Sequence, residues 1–441
     1  MKPATTRRAF LQTAACAFPT IVPSYVLGLR HADASQSMPP SERVHMGFVG
    51  VGSMGTGHLR GTLQYPDVRV TAICDVRDAH RERAKTMVDR HYGDHACKVH
   101  NDFREFMART DVDAVLIATP EHWHPLIGME AARRGKHMYY EKPMSVCHAD
   151  AVSVREEVLR HGVIFQFGTQ QRSSHYFRHA CELARNGYIG EVKKIYIGSA
   201  GGGKPDVVQA HPGPVPAGFD YDMWLGPAPW SPYSDERVSR AWMMIHDYGL
   251  GSLSGAWGIH DVDFAQWAND TDSTGPIDVE AEGQFYEDIR DVMWSWTAEH
   301  KYRNGVTLVH MDLATAKKRV PQFQFGSMAT VIEGSKGWIW VSRQGMRTHP
   351  ADLVQTAIRA DGKRVAKYDD HRRNFLDAVR TGRPALSPVT AAVRAEAICQ
   401  QADIAMRLRR KLRWNPETER FVDDDAANRM LSRPMRSPWR V

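Results

Sequence analysis

"RVHMGFVGVGSMGTGHL", residues 43–59, decides the fold. An apolar run reaches Gly50-Val51-Gly52-Ser53-Met54-Gly55 and passes into a helix-forming segment, the order of strand, glycine turn and helix in a Rossmann βα unit. In that unit Gly50 permits the tight turn, Gly52 lets the backbone approach a pyrophosphate, and Gly55 lets the helix pack against the strand. Ser53 and Met54 then sit at the helix N-terminus, which faces the phosphates. The next apolar run, "VRVTAICD", ends at Asp75, 20 residues past Gly55. A carboxylate there holds a ribose 2′-hydroxyl and repels a 2′-phosphate. NAD is therefore expected over NADP, with nearby Arg77 moderating the preference.

The alternation continues. "DAVLIATP" (113–120) reads as a buried strand, 122–134 as a helix and "KHMYYE" (136–141) as another strand. Ligands gather outside the carboxyl ends of such strands, which puts Thr119, Pro120, His124, Glu141 and Lys142 on the cofactor side. Beyond a helix over 149–160 closed by Gly162, the text changes to "KKIYIG", "AEGQFYE", "MWSWTAEHKY", "VTLVHMDL", "ATVIEG" and "GWIWV". These runs are aromatic and β-branched, and Arg303-Asn304-Gly305 and Gly334-Ser335-Lys336-Gly337 supply hairpin turns. The expected fold is an α/β Rossmann domain followed by an α+β domain with a large, mostly antiparallel open sheet. The expected boundaries are a leader over 1–34, a nucleotide-binding domain over 35–165, a sheet domain over 166–370, and a C-terminal helical segment and tail over 371–441. The Pro- and Gly-rich stretch 201–232 is long for a structureless connection and reads as a lid or binding surface.

Two segments carry chemistry. "YYEKPMS" (139–145) places Lys142 at a strand end, before a proline that restricts its backbone. An ammonium fixed there can hydrogen-bond a substrate hydroxyl and stabilise the alkoxide-like charge that develops as hydride leaves. "DYGLGSLSGAWGIHDVDFAQW" (247–267) leads through glycines into a helix bearing His260, a base for the hydroxyl proton, with Asp263 three residues on. Trp123, Trp224, Trp242, Trp257 and Trp267 offer faces for stacking a sugar, and Arg172 in "GTQQRSS" offers donors to its polar groups. The histidines of "EHWHP" (121–125) lie two apart at a helix start, a spacing unsuited to zinc, and no metal is expected.

Composition excludes other classes. The formal charge of +6 over 441 residues falls to about +3 without the leader, which carries Lys2, Arg7, Arg8 and Arg30 against Asp33, so no nucleic-acid partner is expected. Six scattered cysteines, Cys16, Cys74, Cys97, Cys147, Cys181 and Cys399, outline neither a disulfide framework nor a zinc site. "TTRRAFLQTAACAF" (5–18) resembles a twin-arginine export signal, with cleavage expected after Ala34 and a periplasmic destination. Its apolar stretch is too interrupted for a membrane span.

Taken together, "GVGSMG", "IATPEHWHPLIGMEAARRGKHMYYEKPMS", "GTQQRSS", "YDMWLGPAP", the 247–267 segment, "RRNFLDAVRTGRP" and "AMRLRRKLRWNPETERF" resemble the glucose-fructose oxidoreductase and inositol dehydrogenase family (Gfo/Idh/MocA), in its exported, twin-arginine branch. The resemblance implies that Lys142 is catalytic, that Glu141 and His124 lie against the cofactor, and that His260 is the acid/base residue across an interdomain cleft. It further implies a small carbohydrate substrate and a homo-oligomer, dimer or tetramer. One departure stands out: the family's Asp-x-Gly-x-His reads Ala256-Trp257-Gly258-Ile259-His260, and Asp263, Asp247 and Tyr248 are the candidates to replace the missing carboxylate. The expected activity is oxidation of a sugar, polyol or glycoside hydroxyl with a tightly held, internally recycled cofactor. The alternatives are an NAD-dependent glycosidase, which oxidises transiently and ends redox-neutral, and a non-catalytic exported sugar-binding protein.

Overall fold

The computed structural model describes residues 43–201, 206–326 and 328–441; the expected leader and its cleavage site lie outside them. Six strands, β1 (Val44–Val49), β2 (Val68–Cys74), β3 (Lys98–His100), β4 (Ala114–Ile117), β5 (His137–Tyr140) and β6 (Phe165–Phe167), form a parallel sheet. Their order is β3-β2-β1-β4-β5-β6, so the chain reverses direction across the sheet between β1 and β4. That switch point opens the crevice in which such sheets bind ligands. The strand ends β1, β2, β4 and β5 carry the glycine turn, Asp75, Thr119-Pro120 and Glu141-Lys142 to one edge. Gly50 adopts φ +82°, and a Cβ on Gly55 would stand 1.9 Å from the Gly50 carbonyl oxygen, so this turn admits only glycine at both positions.

Nine strands make the second sheet: β7 (Val192–Ser199), β8 (Asp278–Phe285), β9 (Met293–Lys301), β10 (Thr307–Asp312), β11 (Ala329–Gly334), β12 (Gly337–Ser342), β13 (Gly345–His349), β14 (Leu412–Asn415) and β15 (Arg420–Phe421). The order is β13-β12-β11-β7-β10-β9-β8-β14-β15, antiparallel except for the β7–β10 pair. The expected hairpins form: Gly334 pairs with Gly337 across Ser335-Lys336, and Gly305 closes β9–β10 with φ +86°. Sequence patterning did not signal β13, β14 and β15, which are short and partly polar. The helices His175–Arg185, Gly258–Ala268 and Val389–Leu408 pack over the sheet, and one buried cluster runs from Val49 and Ile117 through Ile259 to Ile398.

The parallel sheet runs through Phe167, past 165. The segment after 371 packs on both domains: Phe375 and Leu376 enter the nucleotide domain's core beside Tyr139, Val389–Leu408 lies against the helix His148–His161, and β14 extends the second sheet beside β8. The five described cysteines are buried and free. No helix among the described residues is long and apolar enough to cross a membrane.

Candidate active site

Residues 206–232 of the stretch expected as a lid or binding surface fold back onto the nucleotide domain. The Asp220 N–H donates to the Val76 carbonyl at 3.0 Å, the Asp78 N–H to Gly218 at 2.8 Å, and Asn101 Nδ2 to Asp220 Oδ2 at 2.7 Å. Phe219, Tyr221, Trp224, Tyr233 and Tyr248 form an apolar cluster beneath this strap. The C-terminal tail fastens it, since the Arg436 N–H donates to Pro227 at 2.8 Å and its Nε to Gly226 at 2.9 Å. Between strap, nucleotide domain and second sheet lies a cavity of about 790 Å³.

Gly50, Gly52, Ser53, Met54 and Asp75 line one end of it. Gly55 does not; it acts through the close helix packing described above. Asp75 accepts the Val51 N–H at 2.8 Å and the Arg77 N–H at 3.0 Å, which holds the carboxylate at the cavity wall. The Arg77 guanidinium lies 3.7 Å from the Phe219 ring centroid, packed on the strap. A bare glycine turn, a helix N-terminus and a fixed carboxylate are together the donor set a dinucleotide needs, so these residues fit NAD.

Thr119, Pro120, Glu141 and Lys142 line the middle. Glu141 is 3% exposed and meets His58 Nε2 at 2.8 Å. Burial pushes its carboxyl up, but His58, then Lys142, draw it below its ordinary value, so it stays ionised. Lys142 Nζ donates to the Gly255 carbonyl at 2.6 Å, across the domain boundary. His124 is behind this wall: its nitrogens lie 2.7 Å from the Pro143 carbonyl and 2.8 Å from that of Thr119, so it braces the Lys142 loop. His122 likewise braces the strap through the Trp224 carbonyl at 3.0 Å.

His260, Trp257 and Ala256 close the far end. Burial, with Lys142 and Arg343 adding, holds His260 well below its usual range, which leaves the imidazole neutral. Its Nδ1 has no hydrogen-bond partner among the described residues.

Other expected substrate contacts go elsewhere. Arg172 is buried in a four-bond ion pair, with Nε and Nη2 on Asp263 at 2.8 and 2.7 Å and Nη1 and Nη2 on Asp272 at 2.9 Å each. Asp263 thus points away from His260 although it lies on the same helix. Tyr248 is buried in the strap's aromatic cluster, and neither it nor Asp247 lines the cavity. Trp123 lines it with its ring already packed against Phe103 and Trp439. Trp267 stacks near Arg172 at 5.4 Å, while Trp224, Trp242 and Trp257 reach the cavity.

Among the cavity residues that carry no expectation from sequence, Glu121 and Arg343 bear on the chemistry. Glu121, first residue of "EHWHP", is 2% exposed; a Cβ on Gly255 would lie 1.9 Å from its Oε1, and its Oε2 has no hydrogen-bond partner among the described residues. Burial pushes its carboxyl well above the ordinary value; Lys142 draws it back and Glu396 adds to the rise. Its signal was its place four residues after the β4 strand end. Arg343, in the β12–β13 turn, had none.

The descriptions of two family models match the chain: "Oxidoreductase family, NAD-binding Rossmann fold" over residues 44–169 and "Oxidoreductase family, C-terminal alpha/beta domain" over 194–441. The chain is 27% identical over 167 residues to the uncharacterized oxidoreductase YrbE of Bacillus subtilis, covering 38% of this chain and 47% of that protein. It is 34% identical over 111 residues to glycosyl hydrolase family 109 protein 1 of Shewanella sp. strain MR-4, covering 24% of each. These matches span half or less of the relatives' length. Among solved structures it resembles myo-inositol 2-dehydrogenase from Lactobacillus plantarum, at 16% identity and a TM-score of 0.58 over 84% of this chain and 99% of that one. It also resembles GenD2 from gentamicin A biosynthesis in complex with NAD, at 18% identity and a TM-score of 0.60 over 85% and 97%.

Arg172→Met is expected to lower the unfolding free energy by about 3–5 kcal/mol, because it strands two carboxylates, one of them fully buried; chemical denaturation measures it. Glu121 gives a pH dependence of definite sign. Its folded carboxyl stays neutral above the ordinary value of 4.5 while the unfolded one ionises, so it costs stability as pH rises past that value. Glu121→Gln should therefore raise Tm, with the gap to the native protein widening from acidic to neutral buffer.

Proposed function

Since the chain belongs to the Gfo/Idh/MocA oxidoreductase family, we propose that it oxidises a hydroxyl of a sugar, polyol or glycoside with NAD held in the cavity. The observation that carries the reading is the convergence of Lys142 and His260 on one cavity with the glycine turn and Asp75. NAD, when bound, supplies the hydride acceptor. Lys142 donates a hydrogen bond to the substrate hydroxyl and stabilises the negative charge that grows on its oxygen. The neutral His260 takes the hydroxyl proton. NAD is favoured over NADP because the Asp75 carboxylate stands at the cavity wall, with Arg77, stacked on Phe219, moderating that preference.

We extend the proposal to an exported protein with a twin-arginine leader over 1–34. The strap supports this: it lines the cavity and is hydrogen-bonded to the nucleotide domain, as retention of a cofactor away from any free pool requires.

A second reading is favoured by Glu121. A carboxyl kept neutral in the cavity is an acid suited to protonating a departing glycosidic oxygen. After oxidation of the sugar, loss of the proton on the neighbouring carbon and of the protonated aglycone, water addition and return of the hydride would complete a redox-neutral hydrolysis. The segment similar to a glycosyl hydrolase family 109 protein is consistent with this reading.

Denaturing the purified protein should release NAD rather than NADP, and Lys142→Ala should keep that nucleotide yet lose about a hundredfold or more in turnover. Incubation with a glycoside panel and mass spectrometry separates the readings: keto-sugar marks net oxidation, free sugar without added NAD marks hydrolysis. Full turnover by Lys142→Ala would sink both.

A further inference from the structure

Arg343 stands out among the cavity's charged groups because nothing in the chemistry proposed above uses it. Ser342 pairs with Gly345, so Arg343 and Gln344 form the tight turn between β12 and β13 at the sheet edge nearest His260. Arg343 is an exposed residue at the rim; from there its side chain reaches the cavity wall, and its guanidinium carbon lies 5.1 Å from the centroid of Trp257. The Trp257 ring is in turn 6.3 Å from His260. Arg343 makes no hydrogen bond or ion pair with any described residue.

The carboxylates around it do not neutralise it. Asp261 is fully buried, and burial lifts its carboxyl to about 7. Glu141, engaged by His58 and by the Lys142 N–H, stays ionised and offsets one of the two cations Lys142 and Arg343. Lys142 adds a second positive charge to the same half of the cavity, and Glu121 is held neutral by burial. The carboxylates of Asp75 and Asp235 belong to the nucleotide domain and the strap. The reacting end is thus net positive, with one cation assigned to the substrate hydroxyl and one unassigned.

An arginine fork presents parallel N–H donors that match the oxygens of a carboxylate, sulfate or phosphate, and stacking on an aromatic face fixes its plane. We infer that Arg343 is an anion subsite, and that the substrate is an acidic sugar whose charged oxygens pair with Arg343 while its ring lies along Trp257 and a ring hydroxyl meets Lys142 and His260. This rests on the oxidoreductase reading and narrows its substrate class.

The test is equilibrium binding to the full-length, nucleotide-loaded protein, followed by calorimetry and tryptophan fluorescence. The probes are methyl β-D-glucopyranoside, its glucuronide counterpart, glucose 6-sulfate and glucose 6-phosphate. At least one acidic probe should bind about tenfold or more tightly than the neutral one, the gain of a charged hydrogen-bonded pair. Which acidic probe wins identifies the carboxylate or the ester as the source. Arg343→Gln should abolish the preference and Arg343→Lys retain part of it. Equal binding of acidic and neutral probes, a neutral preference, or an unchanged preference in Arg343→Gln overturns the subsite. The oxidoreductase reading is judged separately, by nucleotide release and by turnover of any glycoside, and survives each of those results.

Discussion

The site depends on a glycine-rich loop that lets two halves of the molecule touch. Lys142 Nζ reaches across the boundary to the Gly255 carbonyl, and Glu121 presses on the same residue so closely that a Cβ there has no room. Gly258 repeats the constraint two residues before His260, where a Cβ would lie 2.0 Å from the Leu253 carbonyl oxygen. Without these bare positions the helix bearing His260 could not approach the end of β5. The strap, the cavity and the pairing of Lys142 with His260 all follow from that approach.

Burial then sorts the ionisable groups by role. Glu141 is desolvated but compensated by His58 and Lys142, so it remains a fixed negative charge beside the lysine. Glu121 and Glu396 are desolvated with too little compensation. Glu396 accepts hydrogen bonds from the Met144 N–H and Ser254 Oγ, yet burial still pushes it up to about 7. The result is a net positive wall facing the substrate end, a neutral imidazole, and neutral acids behind the lysine. Such an arrangement can lose or supply a proton without creating an unpaired charge in a low-dielectric space.

The sequence carried the fold well where the signal was local. The glycine turn, the strand ending at Asp75 and the Lys142-Pro143 strand end are short-range patterns, and each lies where its spacing required. The aromatic strands of the second sheet were equally legible, though their parallel β7–β10 pair was not, because pairing partners are long-range. The candidate site was legible only in part for the same reason. Arg172 and Asp263 each look like a cleft residue, and only the tertiary fold reveals that they bury each other. Arg343 lies in a polar turn like any other until the sheet edge carries it to the cavity.

The missing aspartate at 256 and the buried Glu121 are two sides of one electrostatic arrangement. Position 256 lines the cavity next to Gly255, the residue whose backbone Glu121 touches and Lys142 hydrogen-bonds. A carboxylate at 256 would stand close to Glu121 and compete with it for Lys142. Two like charges so near cannot both ionise cheaply in a buried site, so one acid would be forced to hold its proton or be expelled. Alanine removes the conflict, and the carboxyls set against the lysine, Glu121 and Glu141, both come from the nucleotide domain instead of the loop before His260. None of Asp263, Asp247 and Tyr248 lines the cavity, whereas Glu121 does, against the same Gly255 to which Lys142 donates.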